Sequence, residues 1–183
     1  MNLEEKQLKK EYIYNGKVIN LRVDTALLPN NTTASREIIE HPGGVCVVPL
    51  TDDNCLLLVK QFRYPYFESI LEIPAGKRNS KDEDPLECGK RELREETGAV
   101  AEKFIDLGTL YPTPGYCDEI IWLYAATGLT IGEQDLDSDE FLNVEKIPFD
   151  TVLDMIMSGE IKDAKTQTAV LKLKYLIDNN KLA

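Results

Sequence analysis

The chain has 183 residues, of which 43% are hydrophobic and 29% charged, so it can form one core with a small added subdomain. Its net charge of −11 argues against a nucleic-acid backbone as partner. No apolar run approaches the ~20 residues of a membrane span, and the N-terminal residues lack an apolar signal-peptide core. We therefore expect neither a nucleic acid nor a membrane as partner.

The cysteines indicate a reducing compartment. The chain has four, with no C-x-x-C pair among them: Cys46, Cys55, Cys88 and Cys117. This spacing fits neither a disulfide framework nor a zinc site, so we expect a cytoplasmic protein. The single histidine, His41, rules out a His-rich metal site and leaves a Ser-His-Asp triad only if His41 itself serves.

The first part of the chain has the pattern of a small antiparallel β unit. Residues 12–28 alternate as strands do, and Asn15-Gly16 offers a tight hairpin turn. Residues 35–40 predict a further strand, which His41-Pro42-Gly43-Gly44 ends. We therefore predict an N-terminal unit at residues 1–43 and a main domain at residues 44–183.

The main domain combines short apolar runs with three helical segments. Residues 45–50 and 55–61 are short, turn-bounded apolar runs, so we expect both to be buried strands of one sheet. Further strands are predicted at residues 68–73, 104–111, 119–126 and 141–146. Helices are predicted at residues 85–97, 148–158 and 164–179. This order predicts an α/β fold, an α/β/α sandwich with a mixed sheet.

The helix at residues 85–97 carries the strongest signals. Asp84 can cap its N-terminus, Pro85 suits its first position, and Gly98 can end it. Three glutamates at i, i+3 and i+4 share one of its faces: Glu92, Glu95 and Glu96. An acidic helix face is most often simply solvated. Alternatively, a hard divalent cation such as Mg²⁺ or Mn²⁺ would neutralise three such carboxylates.

The residue order around these glutamates favours the metal. Residues 91–99, RELREETGA, match R-E-U-x-E-E-x-G-U (U is apolar), and Glu83 lies eight residues before Arg91. The chain therefore resembles a Nudix hydrolase, a family that cleaves nucleoside diphosphates linked to another group. Six residues separate Gly76 from Glu83, where the family has five, which we interpret as a one-residue loop insertion.

The resemblance implies a fold and a set of roles. It implies the Nudix α/β/α sandwich, with Mg²⁺ (Mn²⁺ as alternative) held by the three glutamates of the helix face and the Ala75 carbonyl. Arg91 is expected to orient a glutamate of the motif, and Glu95 is also a candidate catalytic residue.

The acidic loop at residues 132–140 has two interpretations. Its alternating aspartates, Asp135, Asp137 and Asp139, begin like a Ca²⁺-binding EF-hand. An EF-hand loop needs Gly at position six and Glu at position twelve. Counted from Asp135, this chain has Glu140 and Lys146 at those positions, so we reject an EF-hand here. The loop is then either a solvated segment or, as the family resemblance implies, a mobile loop that brings Glu140 to the site to orient or deprotonate water. Asp137 and Asp139 are close enough in sequence to be confused with Glu140 in this role.

Other segments resemble the ADP-ribose pyrophosphatase subgroup. Pro114 lies sixteen residues after Gly98, and Glu119 closes a P-G-x-x-x-E pattern. Arg63 lies in a Q-F-R segment, where guanidinium suits a diphosphate, and Arg36 precedes an H-P-G segment. The candidate substrate contacts are therefore Arg36, Arg63, Pro114 and Glu119.

This resemblance implies hydrolysis of ADP-ribose to AMP and ribose 5-phosphate by a homodimer whose N-terminal unit walls the adenine site. The residue that stacks on the base stays open among Tyr12, Tyr14 and Val18. Two alternatives remain: another nucleoside diphosphate sugar such as GDP-mannose, or a Nudix-fold module that binds a nucleotide without cleaving it.

Overall fold

The computed structural model describes residues 2–138 and 140–181 and divides the chain into two compact units. One unit comprises Met1–Gly43 and Tyr111–Ile120, and the other comprises Gly44–Leu110 and Ile121–Ala183. Asp139, named in the EF-hand comparison, lies outside the described residues.

Ten strands and three helices lie in the described residues. The strands are β1 (Lys6–Asn15), β2 (Asn20–Leu27), β3 (Thr33–Glu40), β4 (Gly44–Pro49), β5 (Cys55–Arg63), β6 (Glu68–Glu72), β7 (Ala75–Lys77), β8 (Ala99–Leu110), β9 (Ile121–Ile131) and β10 (Leu142–Pro148). The helices are α1 (Pro85–Thr97), α2 (Phe149–Ser158) and α3 (Ala164–Asp178).

The first unit is built on an antiparallel sheet of order β1-β2-β3. Strand β1 begins at Lys6, six residues before the predicted start, and all ten of its residues are exposed. The segment Tyr111–Ile120 joins this unit through backbone hydrogen bonds, from Ile39 N to Tyr116 O (2.7 Å) and from Asp118 N to Ile39 O (3.0 Å). Sequence reasoning did not anticipate that this segment joins the unit.

The second unit contains two sheets. One is mixed, of order β7-β4-β9-β8, in which β4 and β9 run parallel; the other is antiparallel, of order β10-β5-β6. The expectation that β4 and β5 share one sheet is therefore wrong, since only an isolated bridge between Leu50 and Leu56 links their ends. No strand was predicted at β7, and β8 begins five residues before its predicted start.

The core of the second unit shows where its helices lie. Cys46 and Val48 of β4 belong to a buried cluster that also contains Val152 of α2 and Val170 of α3. The intervening residue, Val47, belongs to a second cluster that contains Leu93 of α1. Because successive side chains of a strand point to opposite faces, α1 lies on one side of β4 while α2 and α3 lie on the other. The predicted α/β/α sandwich is confirmed.

The ends of α1 follow the sequence signals. The Asp84 carboxylate accepts hydrogen bonds from the backbone N–H of Leu86 (2.9 Å) and Glu87 (3.1 Å). Gly98 ends the helix in the left-handed conformation, with φ of 70°, where a side chain would be strained. No helix of the described residues is both long and apolar enough to cross a membrane.

Candidate active site

The glutamates of α1 differ sharply in exposure. Glu92 and Glu96 are 7% and 3% exposed, whereas Glu95 is partly exposed. The backbone N–H of Ala75, in β7, donates a hydrogen bond to Glu96 Oε2 (3.0 Å). At Gly76 a Cβ atom would lie 1.9 Å from Glu92 Cδ, so β7 approaches the helix more closely than any side chain there allows. The strand that the sequence did not predict therefore forms one wall around the two buried carboxylates.

Burial raises the pKa of both carboxyl groups. Desolvation raises the pKa of Glu92 from 4.5 to about 7, and the charges of Glu95 and Glu140 contribute to the rise. Desolvation likewise raises the pKa of Glu96 to about 8, with contributions from Glu92 and Glu140. In their ionised forms the two groups would place negative charge where water is largely excluded.

Arg91 partly neutralises this charge. Its Nη1 lies 2.8 Å from Glu92 Oε1 and 2.9 Å from Glu95 Oε2, and its Nη2 lies 3.5 Å from Glu83 Oε1. Within the described part of the chain, no arginine or lysine forms an ion pair with Glu96. Arg91 therefore contacts three glutamates of the motif, and its expected role of orienting a glutamate stays a prediction.

The loop at residues 78–84 contains the one-residue insertion and is held by Arg78. That side chain is 7% exposed, stacks over the Trp122 ring at 4.7 Å, and donates from Nε to the carbonyl oxygen of Glu83 (2.9 Å). The Glu83 carboxylate in turn accepts from the backbone N–H of Asn79. The loop therefore keeps Glu83 beside Arg91 despite its extra residue, in agreement with the interpretation that loops absorb insertions.

The acidic loop is attached to the C-terminal end of α1. Gln134 donates through Nε2 to the carbonyl oxygen of Glu96 (2.6 Å), and the Asp135 N–H donates to that of Glu95 (3.0 Å). Because the last carbonyl groups of a helix have no partner within it, these bonds fix the loop on the motif helix. They bring Glu140 close enough for its charge to raise the pKa values of Glu92 and Glu96. The sequence placed Glu140 here only through the family resemblance.

The donor set fits a divalent cation. Carboxylate oxygens are the ligands that Mg²⁺ and Mn²⁺ prefer, and a bound cation would favour the ionised forms of the two buried glutamates. Among residues 2–138 and 140–181, however, no three acidic, histidine or cysteine side chains already form a metal-binding group. In this arrangement Arg91 holds Glu92 and Glu95, so binding of a cation would require rearrangement of these side chains. The ligand set remains a prediction.

A second charged cluster lies around Glu72, at the end of β6. Arg63 donates to its carboxylate from Nε (2.6 Å) and Nη2 (2.9 Å), and Lys165 Nζ also contacts it. Sequence reasoning selected Arg63 but missed Lys165. The sequence shows of Lys165 only that it lies in the first turn of a predicted helix, and lysines at such positions are too common to indicate a functional role.

The remaining candidate residues lie in the first unit. The Arg36 guanidinium is paired with Glu5 through two hydrogen bonds (3.0 and 2.6 Å), and the Glu119 carboxylate lies 3.3 Å from His41 Nδ1. Pro114 lies in the segment Tyr111–Ile120. The roles expected for Arg36, Pro114 and Glu119 in substrate binding stay predictions.

Comparison with known proteins agrees with the motif. A family profile described as the NUDIX domain matches residues 40–167. An ADP-ribose pyrophosphatase of Bacillus subtilis is 42% identical over 184 residues, covering 98% of this chain and 99% of that protein. A methanol dehydrogenase activator of Bacillus methanolicus is 44% identical over 173 residues, covering 93% of each chain.

One solved structure shares the fold. It is titled as that of an ADP compounds hydrolase, and it superposes with a TM-score of 0.84 over 100% of both chains. Its sequence identity is 20%, so the likeness supports the fold alone.

Proposed function

Because the chain belongs to the Nudix hydrolase family, we propose that it hydrolyses the pyrophosphate bond of ADP-ribose with Mg²⁺, giving AMP and ribose 5-phosphate. Water adds across the P–O–P linkage, so each product keeps one phosphate. The full-length similarity to an ADP-ribose pyrophosphatase supports this substrate. Mn²⁺ is the alternative metal.

The observation that carries the proposal is the pair of buried carboxylates at Glu92 and Glu96. Burying two acidic groups side by side raises the pKa of both and costs stability, unless a cation binds there. Such a site is typical of function rather than of stability. The two carboxylates, with Glu95 and the Ala75 carbonyl, would hold Mg²⁺. When bound, the cation would neutralise charge on the diphosphate.

The other residues of the site would handle water and substrate. We assign the orientation or deprotonation of the attacking water to Glu140, because its charge acts on Glu92 and Glu96 and its loop is fixed to α1. Arg91 would keep Glu92 and Glu95 in position. Arg63, whose side chain is partly exposed, would bind the diphosphate.

The test is a product assay on a panel of nucleoside diphosphate derivatives: ADP-ribose, GDP-mannose and NADH, each with Mg²⁺ or Mn²⁺. The proposal expects ADP-ribose to give the highest kcat/KM and AMP as product. A higher kcat/KM for GDP-mannose would support the alternative substrate. Binding of these compounds without turnover would support the non-catalytic module.

A second candidate function is favoured by the similarity to the methanol dehydrogenase activator. This protein would then raise the activity of an alcohol dehydrogenase, with the same site acting on a nucleotide. An assay of such a dehydrogenase, with parent protein and with Glu96→Gln, tests this candidate. Equal dehydrogenase rates with and without the parent protein would exclude it.

We also propose that the protein is a cytoplasmic homodimer. All four cysteines are free, which suits a reducing compartment. Strand β1 forms an edge of its sheet and exposes Leu8, Tyr12, Ile13 and Tyr14. A long exposed edge strand with apolar side chains suits pairing with another chain. A second copy would cover it, as expected for the N-terminal unit at residues 1–43.

A further inference from the structure

Glu72, to which the proposed chemistry assigns no role, is the centre of a buried charge cluster. The residue is 2% exposed, and its carboxylate contacts two cations, Arg63 from β5 and Lys165 from α3. Burial disfavours its ionisation, but the hydrogen bonds from Arg63 and the charge of Lys165 lower its pKa below 4.5. The carboxylate is therefore charged and shared between the two cations at neutral pH.

The first turn of α3 holds Lys165 in place. Lys165 Nζ also donates to Asp163 Oδ1 (2.9 Å), and the other oxygen of Asp163 caps the helix by accepting from the Thr166 N–H (2.8 Å). The Thr166 hydroxyl donates to Asp163 (2.6 Å) and accepts from the Ile73 N–H (2.9 Å). The first turn of α3 therefore binds both the side chain of Glu72 and the backbone of Ile73.

These contacts between α3 and residues 72–73 lie next to the candidate metal site. Ala75, two residues after Ile73, donates its N–H to Glu96, so the segment that α3 holds also positions a buried carboxylate. The hydrogen bonds that Arg63 donates to Glu72 raise the pKa of Arg63, and the charge of Glu96 adds to the rise, so the guanidinium lies within electrostatic reach of the Glu96 carboxylate.

The geometry of Arg63 leaves one edge available. Its Nε and Nη2 bind Glu72, and no acceptor for its Nη1 is found among the described residues. Fixing one edge of a guanidinium against a carboxylate reduces the conformational freedom that would be lost when its other edge binds a phosphate. Without Lys165, Glu72 would be a buried carboxylate with one partner, and Arg63 would be drawn more tightly onto it.

We propose that Lys165 is a positioning residue for substrate binding, which acts through Glu72 to hold Arg63 ready for the diphosphate. The inference rests on the proposed function, in which Arg63 binds that group. The alternative is a purely structural ion pair that fastens α3 to β6. The two differ in one respect: a positioning role requires that the effect of Lys165 on binding depend on Arg63.

A double-mutant cycle measures that dependence. The binding of ADP in the presence of Ca²⁺ is measured by calorimetry for the parent, Arg63→Gln, Lys165→Met and the double variant. The matched control is Lys162→Met, a lysine three residues earlier that pairs with the exposed Glu68. Thermal unfolding of each variant shows that it is folded. If Lys165→Met does not fold, Lys165→Gln, which keeps a hydrogen-bond donor, replaces it in the cycle.

The expected result is that Lys165→Met weakens ADP binding about tenfold, at the low end of what losing a group behind a ligand-holding side chain costs. In the Arg63→Gln background, Lys165→Met should then have little further effect. Lys162→Met should bind ADP as the parent does.

Three outcomes would overturn the inference. The first is that the effects of the two substitutions add, the second is that Lys165→Met binds ADP like the control, and the third is that the parent does not bind ADP at all. The proposed function fails separately, if the parent shows the expected coupling but does not hydrolyse ADP-ribose.

Discussion

Replacing Glu96 by glutamine should make the metal-free protein more stable while making the enzyme inactive. The Glu96 carboxyl is 3% exposed, accepts one backbone hydrogen bond from Ala75, and forms no ion pair with a described residue. Glutamine has the same shape, and its carbonyl oxygen can accept the same hydrogen bond. Its amide group can donate to the nearby carboxylates of Glu92 and Glu140, whose charges act on this position.

The magnitude follows from the raised pKa of Glu96. At a pH between 4.5 and about 8, the folded protein keeps a proton on Glu96 that the unfolded chain has released. The contribution that this proton makes to the free energy of unfolding is therefore complete below about pH 4.5 and is lost progressively as the pH rises to about 8. The full shift corresponds to about 5 kcal/mol at ~1.36 kcal/mol per pKa unit, and we expect about half of this after relaxation of the site.

The assay is thermal unfolding in EDTA at about pH 5 and about pH 9. At the higher pH, Glu96→Gln should raise Tm by about 5–10 °C, since 1 kcal/mol shifts Tm by roughly 2–4 °C in a chain of this size. At the lower pH the two proteins should unfold at similar temperatures. The matched control is Glu87→Gln on the exposed face of the same helix, which should change Tm little at either pH.

Mg²⁺ should reverse the order of stability, because it binds the parent and not the variant. With Mg²⁺, the kcat of Glu96→Gln on ADP-ribose should fall by orders of magnitude. If Glu96→Gln is less stable than the parent at high pH without metal, Glu96 is not a destabilising buried charge. Normal Mg²⁺-dependent turnover by the variant would remove Glu96 from the metal site.

Three further predictions test the catalytic loop, the close approach of β7 and the dimer. Glu140→Gln should lower kcat strongly and change KM little, since the loss falls on the transition state, whereas Asp137→Asn in the same loop should be milder; equal kcat values for Glu140→Gln and the parent would remove the loop from the mechanism. Gly76→Ala should displace Glu92, weakening Mn²⁺ binding in titrations followed by electron paramagnetic resonance and lowering stability by about 1–3 kcal/mol; unchanged Mn²⁺ affinity would refute this. Ile13→Asp on the exposed strand β1 should give a monomer with poor activity in sedimentation and turnover assays, and a stable, fully active dimer would contradict the assigned interface.

Local signals in the sequence were sufficient for the elements whose ends are encoded by single residues. Helix α1 runs from Pro85 to Thr97, as the Asp84 cap and the Gly98 stop predicted, because caps act through hydrogen bonds and backbone angles of neighbouring residues. The spacing of the glutamates also fixed that they share one helix face. The motif itself identified the family, which the comparisons then confirmed.

Pairing between distant segments was decided only by the tertiary structure. The sequence placed β4 and β5 in one sheet because both are short and apolar, but strand partners depend on long-range hydrogen bonds that composition does not specify. The three-residue strand β7 has no periodicity long enough to predict it. It exists because it pairs with β4 and packs against Glu92.

The sequence alone determined which acidic groups this protein carries and that they lie on one side of a helix. It could not determine that Glu92 and Glu96 are buried while Glu95 is not, because burial depends on which segments of the chain fold over them. Nor could it join Glu72 to Lys165, which lies 93 residues away in the chain. The charges of these buried residues affect pKa values and binding because the fold removes water from around them. Desolvation is a property of the packed structure and not of any single residue in it.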